Sequence, residues 1–199
     1  MVRVLKEHPL ETRIYHWIHL LALIALGVTG FFIRYPYLSG GYGTLRFVHF
    51  ISMYVVVFNL ILRVSYAFIS RNRDFHELGL GWKQWRMIPG TLAYYAFIRR
   101  DPPKGVGEYN PLQRITYNLW GLMLVFQAFT GFALYRSTQP YFSWVTTVLG
   151  GLPNVRSWHT FIMWLFIATV GLHIYLSLFE EFDEFKYMIL SITPEELRR

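Results

Sequence analysis

The sequence predicts an all-α integral membrane protein, a four-transmembrane-helix bundle, and two observations carry this prediction. Of the 199 residues, 54% are hydrophobic and 16% are charged, whereas an ordinary soluble domain has roughly 25% charged residues. The apolar residues also gather into four runs of about 20, long enough as helices to cross a hydrocarbon core of roughly 30 Å. We expect a single transmembrane domain over residues 1–199, with spans at about 14–33, 48–69, 115–135 and 158–179.

The absence of cysteine limits the chemistry that this chain supplies by itself. Without thiols it forms no disulfide, holds no iron-sulfur cluster on thiolates and attaches no c-type haem covalently. Any iron-sulfur relay is therefore expected on another polypeptide. The net charge of +7 does not indicate a nucleic-acid partner, because the basic residues lie in loops between apolar spans rather than in a soluble groove.

The distribution of the basic residues predicts the orientation in the membrane. Four crossings place both termini on one side, together with the long middle loop over residues 70–114. That side holds all but four of the 19 lysines and arginines, the exceptions being Arg34, Arg46, Arg136 and Arg156. By the positive-inside rule, both termini and the middle loop are cytoplasmic, as expected of a multi-pass protein of the cytoplasmic (inner) membrane surrounded by lipid.

Two loops carry enough apolar residues to predict structure at the membrane surface. Residues 82–99 mix aromatic with basic side chains, which is typical of a helix in the interface or of an aromatic belt at the headgroups. Pro89-Gly90 is expected to interrupt any single helix there. The outer loop over residues 141–152 is predicted to be a re-entrant or interfacial segment.

A short internal repeat occurs near the outer ends of the first and third spans. Thr29-Gly30-Phe31 in the first span matches Thr130-Gly131-Phe132 in the third. Small residues of this kind allow close approach of a neighbouring helix or of a flat cofactor.

Five histidines lie in the predicted spans, where an ionisable residue marks a functional site by default. His159 and His173 are 14 residues apart on the fourth span, which corresponds to about 21 Å along a helix and about 40° around it. His49 on the second span matches the depth of His159. At the cytoplasmic end of the first span, His16 or His19 matches the depth of His173. Two transmembrane histidine pairs are therefore predicted.

Paired imidazoles without carboxylates favour haem over other metal centres. Zinc normally takes four ligands, and the spans contain no Asp or Glu. Haem iron needs two axial ligands, which facing helices of a bundle supply. We therefore predict two bis-histidine b haems, with interhelical hydrogen bonding as the alternative. The spacing leaves His16 and His19 both open, because three residues make nearly one helical turn.

Four stretches of the sequence resemble one known family. The stretch 13–30, with Arg-Ile-Tyr-His-Trp-Ile at 13–18 and Leu-Gly-Val-Thr-Gly at 26–30, is similar to the first-helix signature of the b-type cytochrome subunit of membrane-bound nickel-iron hydrogenases. The segment 156–159, with Trp164 and His173, resembles its second signature. The stretch 45–50 around His49 and Asn110-Pro111 also match. Thr160 and Thr169 depart from the hydrogenase pattern, and the related cytochrome b subunits of formate dehydrogenases share the same histidine layout.

The resemblance implies a role for each candidate residue. It selects His16 over His19 and pairs His49 with His159 for an outer haem and His16 with His173 for an inner one. It implies that Asn110 contacts quinone; the alternative is an N-cap for the third span.

The resemblance also implies the partners. The expected donor is the iron-sulfur small subunit of a periplasmic hydrogenase, whose large subunit carries nickel and iron, and the acceptor is quinone. A formate dehydrogenase partner or a haem-free membrane anchor are the alternatives.

Overall fold

All regular structure in the part of the chain that is described is helical. The computed structural model describes residues 9–71, 75–101, 109–179 and 182–190. These ranges contain short 3-10 helices at Phe75–Leu78 and Gln139–Phe142 and the following α-helices: α1 (Leu10–Arg34), α2 (Tyr42–Ile69), α3 (Trp82–Tyr95), α4 (Pro111–Leu134), α5 (Ser143–Val148), α6 (Leu152–Phe179) and α7 (Phe182–Leu190).

The four predicted spans are confirmed as α1, α2, α4 and α6, each long and apolar enough to cross a membrane. Helices suit such segments because every backbone N–H and C=O is satisfied within the segment, where lipid offers no partner. Each helix begins about four to six residues before the predicted span. The all-α membrane fold class is thus confirmed.

Proline and glycine determine where the long helices begin and end. Tyr35 follows α1 with extended backbone (φ −121°, ψ 93°), as expected for a residue before a proline. Before α6, Gly150 and Gly151 adopt positive φ values of 79° and 107°, which only glycine reaches without strain. Pro153 then lies in the first turn of α6, where its missing N–H costs nothing.

One expectation about the middle loop was wrong. Helix α3 runs continuously from Trp82 to Tyr95 with Pro89 inside it, whereas Pro89-Gly90 was expected to interrupt it. A proline removes a single intrahelical hydrogen bond, and the rest of the helix remains in place around it. In the outer loop, the chain forms a 3-10 helix followed by α5; its placement at the membrane surface stays a prediction.

The chain divides into two compact units. One comprises the residues up to Arg63 and those from Gln127 onward, and the other comprises Val64–Phe126. In the first unit, Ala133, Val145 and Val155 are buried together and join α4, α5 and α6. The same unit fixes α7 to α1, because the Met188 carbonyl oxygen accepts hydrogen bonds from Arg13 Nε and Trp17 Nε1 at 3.3 and 3.1 Å.

In the second unit, a buried arginine organises the backbone. Arg114 is 4% exposed, and its guanidinium donates to three backbone carbonyls, those of Tyr109, His76 and Gly79, at 3.0, 3.3 and 3.0 Å. A guanidinium carries five N–H donors, so it satisfies carbonyls before and after α3 at once.

Candidate functional site

The structure brings the four predicted histidines together as two pairs. The imidazole of His49 on α2 faces that of His159 on α6, with ring centroids 6.5 Å apart and ring planes at 63°. His16 on α1 faces His173 on α6 with the same centroid separation of 6.5 Å and the same angle of 63°. All four residues belong to the first unit, and His159 and His173 lie about 21 Å apart along α6.

This spacing excludes a hydrogen bond between the two rings of a pair. Each ring nitrogen lies about 1.1 Å from its centroid, so the nitrogens of the two rings are at least about 4.3 Å apart, beyond hydrogen-bonding distance. Two metal–imidazole bonds of about 2.0–2.1 Å would span about 4.0–4.2 Å between nitrogens. A centroid separation of 6.5 Å thus leaves room for one metal ion between the two rings of each pair.

His49 and His159, called the outer pair after their predicted depth, each contact a threonine of another helix. Thr29 Oγ1 on α1 lies 2.9 Å from His49 Nδ1, and Thr130 Oγ1 on α4 lies 2.8 Å from His159 Nδ1. These threonines are the first residues of the internal repeat. Both are buried, at 5% and 0% exposure, so protein atoms rather than water surround the contact.

The glycines of the same repeat lie against the same rings. A Cβ added at Gly30 would be 3.2 Å from His49 Cε1, and one at Gly131 would be 3.5 Å from His159 Cε1. By contrast, a Cβ at Gly27 or Gly121 would meet nothing within 4 Å. The repeat therefore places a threonine hydroxyl against Nδ1 of each imidazole and a glycine, which has no side chain, against the adjacent Cε1.

The structure separates the two histidines of α1 that spacing left open. His16 faces His173, whereas His19 contacts Asn59 on α2 through Nδ1. Asn59 Nδ2 also donates to the Tyr15 carbonyl at 2.8 Å, and Asn59 is 3% exposed. His19 Nε2 is buried with no hydrogen-bond partner among the described residues. His16 is thus the histidine that is brought opposite His173.

Asn110 lies at the start of α4, where it caps the helix. Its Oδ1 accepts a hydrogen bond from the Gln113 backbone N–H, and its own N–H donates to Gln113 Oε1, both at 2.9 Å. This reciprocal pair is a capping box. Asn110 Nδ2 donates to the Tyr95 hydroxyl at 3.0 Å. The N-cap that the sequence offered as an alternative is present, and a contact with quinone stays a prediction.

Sequence reasoning missed Asn59, Gln127 and the threonine contacts as parts of the site. The repeated Thr-Gly dipeptide was the available signal for the threonines. Gln127 Nε2 donates to the His159 carbonyl at 3.1 Å, one turn from Thr130 on α4. Among the described residues, no group of three or more His, Asp or Glu side chains is arranged to hold a metal ion. The four imidazoles are therefore arranged only as two pairs.

Comparison with known proteins gives consistent matches over most of the chain. A family model described as prokaryotic cytochrome b561 matches residues 7–191. A probable Ni/Fe-hydrogenase B-type cytochrome subunit of Azotobacter vinelandii is 32% identical over 200 residues, which cover 88% of this chain and 80% of the relative. The similarly named protein of Rhizobium leguminosarum bv. viciae is 32% identical, with 92% and 84% covered. A probable Ni/Fe-hydrogenase 1 B-type cytochrome subunit of Escherichia coli is 32% identical, with 85% and 80% covered.

Proposed function

Because the chain belongs to the prokaryotic cytochrome b561 family, we propose that it is the membrane b-type cytochrome subunit of a nickel-iron hydrogenase and carries electrons through two b haems to quinone. The family membership confirms the resemblance predicted from the sequence. The observation that carries the proposal is the occurrence of two imidazole pairs at two depths, each with a centroid separation of 6.5 Å.

The donor set fits haem better than a four-ligand metal site. Each pair offers two imidazole nitrogens on facing helices, and two axial ligands are what a b haem takes from a protein. His49 and His159 would hold the outer haem, and His16 and His173 the inner one. When bound, the two haems supply one-electron redox centres.

The remaining work of the chain is positioning and insulation. Helices α1, α2 and α6 hold the four ligands, and α4 contacts the outer pair through Thr130. Once the chain lies in the bilayer, lipid and apolar side chains would limit the access of water to the haems, which influences the reduction potential of a metal centre. We assign the hydrogen chemistry to the hydrogenase large subunit.

The names of the relatives support the assignment of partners. We propose that electrons enter from the iron-sulfur small subunit on the periplasmic side. We also propose that the chain lies in the inner membrane with both termini on the cytoplasmic side. We keep Asn110 as a proposed quinone contact, because its Nδ2 carries two hydrogens and donates one of them to Tyr95. The second N–H is the donor that a quinone carbonyl would use.

The test is haem stoichiometry and quinone reduction in the complex purified with its native partners. We expect two b haems per chain, and we expect His173→Ala to lose one haem and quinone reduction while dye-linked hydrogen oxidation continues. His16→Ala should behave in the same way, and His19→Gln, the matched control, should keep both haems. Full quinone reduction in His173→Ala, or a colourless wild-type preparation, would overturn the proposal. Molybdenum or tungsten in place of nickel would reassign the donor to formate.

A further inference from the structure

We propose that Thr29 and Thr130 are positioning residues that hold His49 and His159 in the Nδ1–H tautomer, so that Nε2 of each ring is left to bind the outer haem. This inference rests on the function proposed above. It assigns a role to the internal Thr-Gly repeat that neither the family match nor the names of the relatives supply.

The first step concerns the single hydrogen of the Thr29 hydroxyl. Its Oγ1 lies within hydrogen-bonding distance of the Ala25 carbonyl oxygen, and a carbonyl oxygen can only accept a hydrogen bond. The hydroxyl therefore donates to Ala25 and presents a lone pair to His49 Nδ1, 2.9 Å away. A lone pair accepts only from an N–H, so in the neutral imidazole Nδ1 carries the hydrogen and Nε2 does not.

Thr130 repeats the arrangement on α4. Its hydroxyl lies 3.2 Å from the Gln127 carbonyl oxygen and 3.4 Å from Gln127 Oε1, both acceptors. Donation to either leaves a lone pair for His159 Nδ1 at 2.8 Å. Gln127 in turn donates to the His159 backbone carbonyl, so both ends of His159 are held from α4.

The glycine after each threonine contacts the same imidazole. Gly30 and Gly131 lie against Cε1 of His49 and His159, the ring atom between Nδ1 and Nε2. The hydroxyl thus fixes the hydrogen-bonded atom of each imidazole, and the glycine admits the ring edge beside it. Two helices present the same dipeptide to the two ligands of one haem.

Such a hydrogen bond changes the metal as well as the ring. An Nδ1–H that donates to an oxygen makes the imidazole a stronger electron donor, which stabilises ferric haem and lowers its reduction potential. Loss of the acceptor is therefore expected to raise the potential of the outer haem and to leave that of the inner haem unchanged.

The test is a potentiometric titration of the haems in the purified complex, with electron paramagnetic resonance of the oxidised low-spin haems. The outer component is identified as the one that His159→Ala lacks. In Thr29→Val and in Thr130→Val, we expect the ratio of reduced to oxidised outer haem at a fixed potential to rise by up to about tenfold, or 59 mV for a one-electron couple. The spectrum of that haem should shift as well, and Thr29→Ser should restore both readouts.

A matched control separates this effect from a general change near the ligands. Thr160 follows His159 on α6, and its hydroxyl donates to the Arg156 carbonyl of its own helix at 2.9 Å, so Thr160→Val should leave both potentials in place. Selective loss of the outer haem in the two valine variants, with retention in Thr29→Ser and Thr160→Val, also supports the inference. Unchanged potential and spectrum in both valine variants, in a complex that holds two haems, overturn it and leave the proposed function standing. A wild-type complex without two b haems contradicts the proposed function itself.

Discussion

Substitution of a single glycine tests whether the Thr-Gly repeat is fitted to the imidazole beside it. In Gly30→Ala the new Cβ would lie 3.2 Å from His49 Cε1 and 3.6 Å from Met163 Sδ, whereas carbon atoms in contact rest at about 3.5–4.0 Å. The ring must therefore move by a few tenths of an ångström. Thr29 opposes this movement, because its hydroxyl contacts Nδ1 of the same ring at 2.9 Å.

The size of the effect follows from comparison with Gly27→Ala, one turn earlier in α1. Alanine is about 1 kcal/mol better than glycine inside a helix, and both variants gain this term, while a Cβ at Gly27 meets nothing within 4 Å. Overpacking typically costs about 1–3 kcal/mol, so Gly30→Ala should be less stable than Gly27→Ala by about that amount.

The assay is thermal unfolding of the detergent-solubilised complex, together with retention of the outer haem on heating. We expect Gly27→Ala to match or exceed the wild type in both measurements and Gly30→Ala to lose the outer haem first. Equal unfolding temperatures and equal haem retention in the two variants would refute the reasoning, since they would show that the His49 ring accommodates the added Cβ without cost.

Three further predictions follow from single contacts. Gly131→Ala should have a milder effect than Gly30→Ala in the same unfolding assay, because its Cβ would meet His159 Cε1 at 3.5 Å, an ordinary contact distance. Asn110→Ser keeps an N-cap oxygen, so its free energy of unfolding should lie within a few tenths of a kcal/mol of the wild type, whereas Asn110→Ala should lose about 1 kcal/mol. Reduced quinone turnover in the serine variant, whose helix remains capped, would support the quinone contact. Unchanged turnover would contradict it. Arg114→Met removes the donor from three backbone carbonyls and should destabilise the protein by about 1–3 kcal/mol in thermal unfolding, while a loss below 1 kcal/mol would show that water replaces the guanidinium.

The spans were predictable because hydropathy and helix formation depend on the same residues. The helix starts were less so, since hydropathy detects only the hydrocarbon segment. A helix continues past it until proline or glycine ends the regular backbone, as Gly150 and Gly151 do before α6. The continuity of α3 through Pro89 shows the opposite limit, because a proline weakens a helix locally without determining how the neighbouring turns pack.

The pairing of histidines by depth needed only the rise per residue along each helix. The choice between His16 and His19 needed the rotation of α1 about its axis, which the spacing of apolar residues does not fix to within one turn. In the structure that rotation brings His16 to His173 and His19 to Asn59. The sequence shows that Asn59 is a polar residue inside the second span, but it does not show that its partner is His19 on α1.

The contacts of the outer pair give α4 a role that its sequence alone conceals. This helix carries no histidine, so the positions of the candidate ligands alone would give it only a packing role in the bundle. Yet Thr130, Gly131 and Gln127 contact the side chain or the backbone of His159. Helix α1 supplies the equivalent threonine and glycine to His49 while carrying His16 for the inner pair. The side chain of each histidine of the outer pair contacts a helix that does not bear it. Relative movement of α1 and α2, or of α4 and α6, would therefore disturb a proposed ligand. The outer site therefore depends on the packing of all four spans.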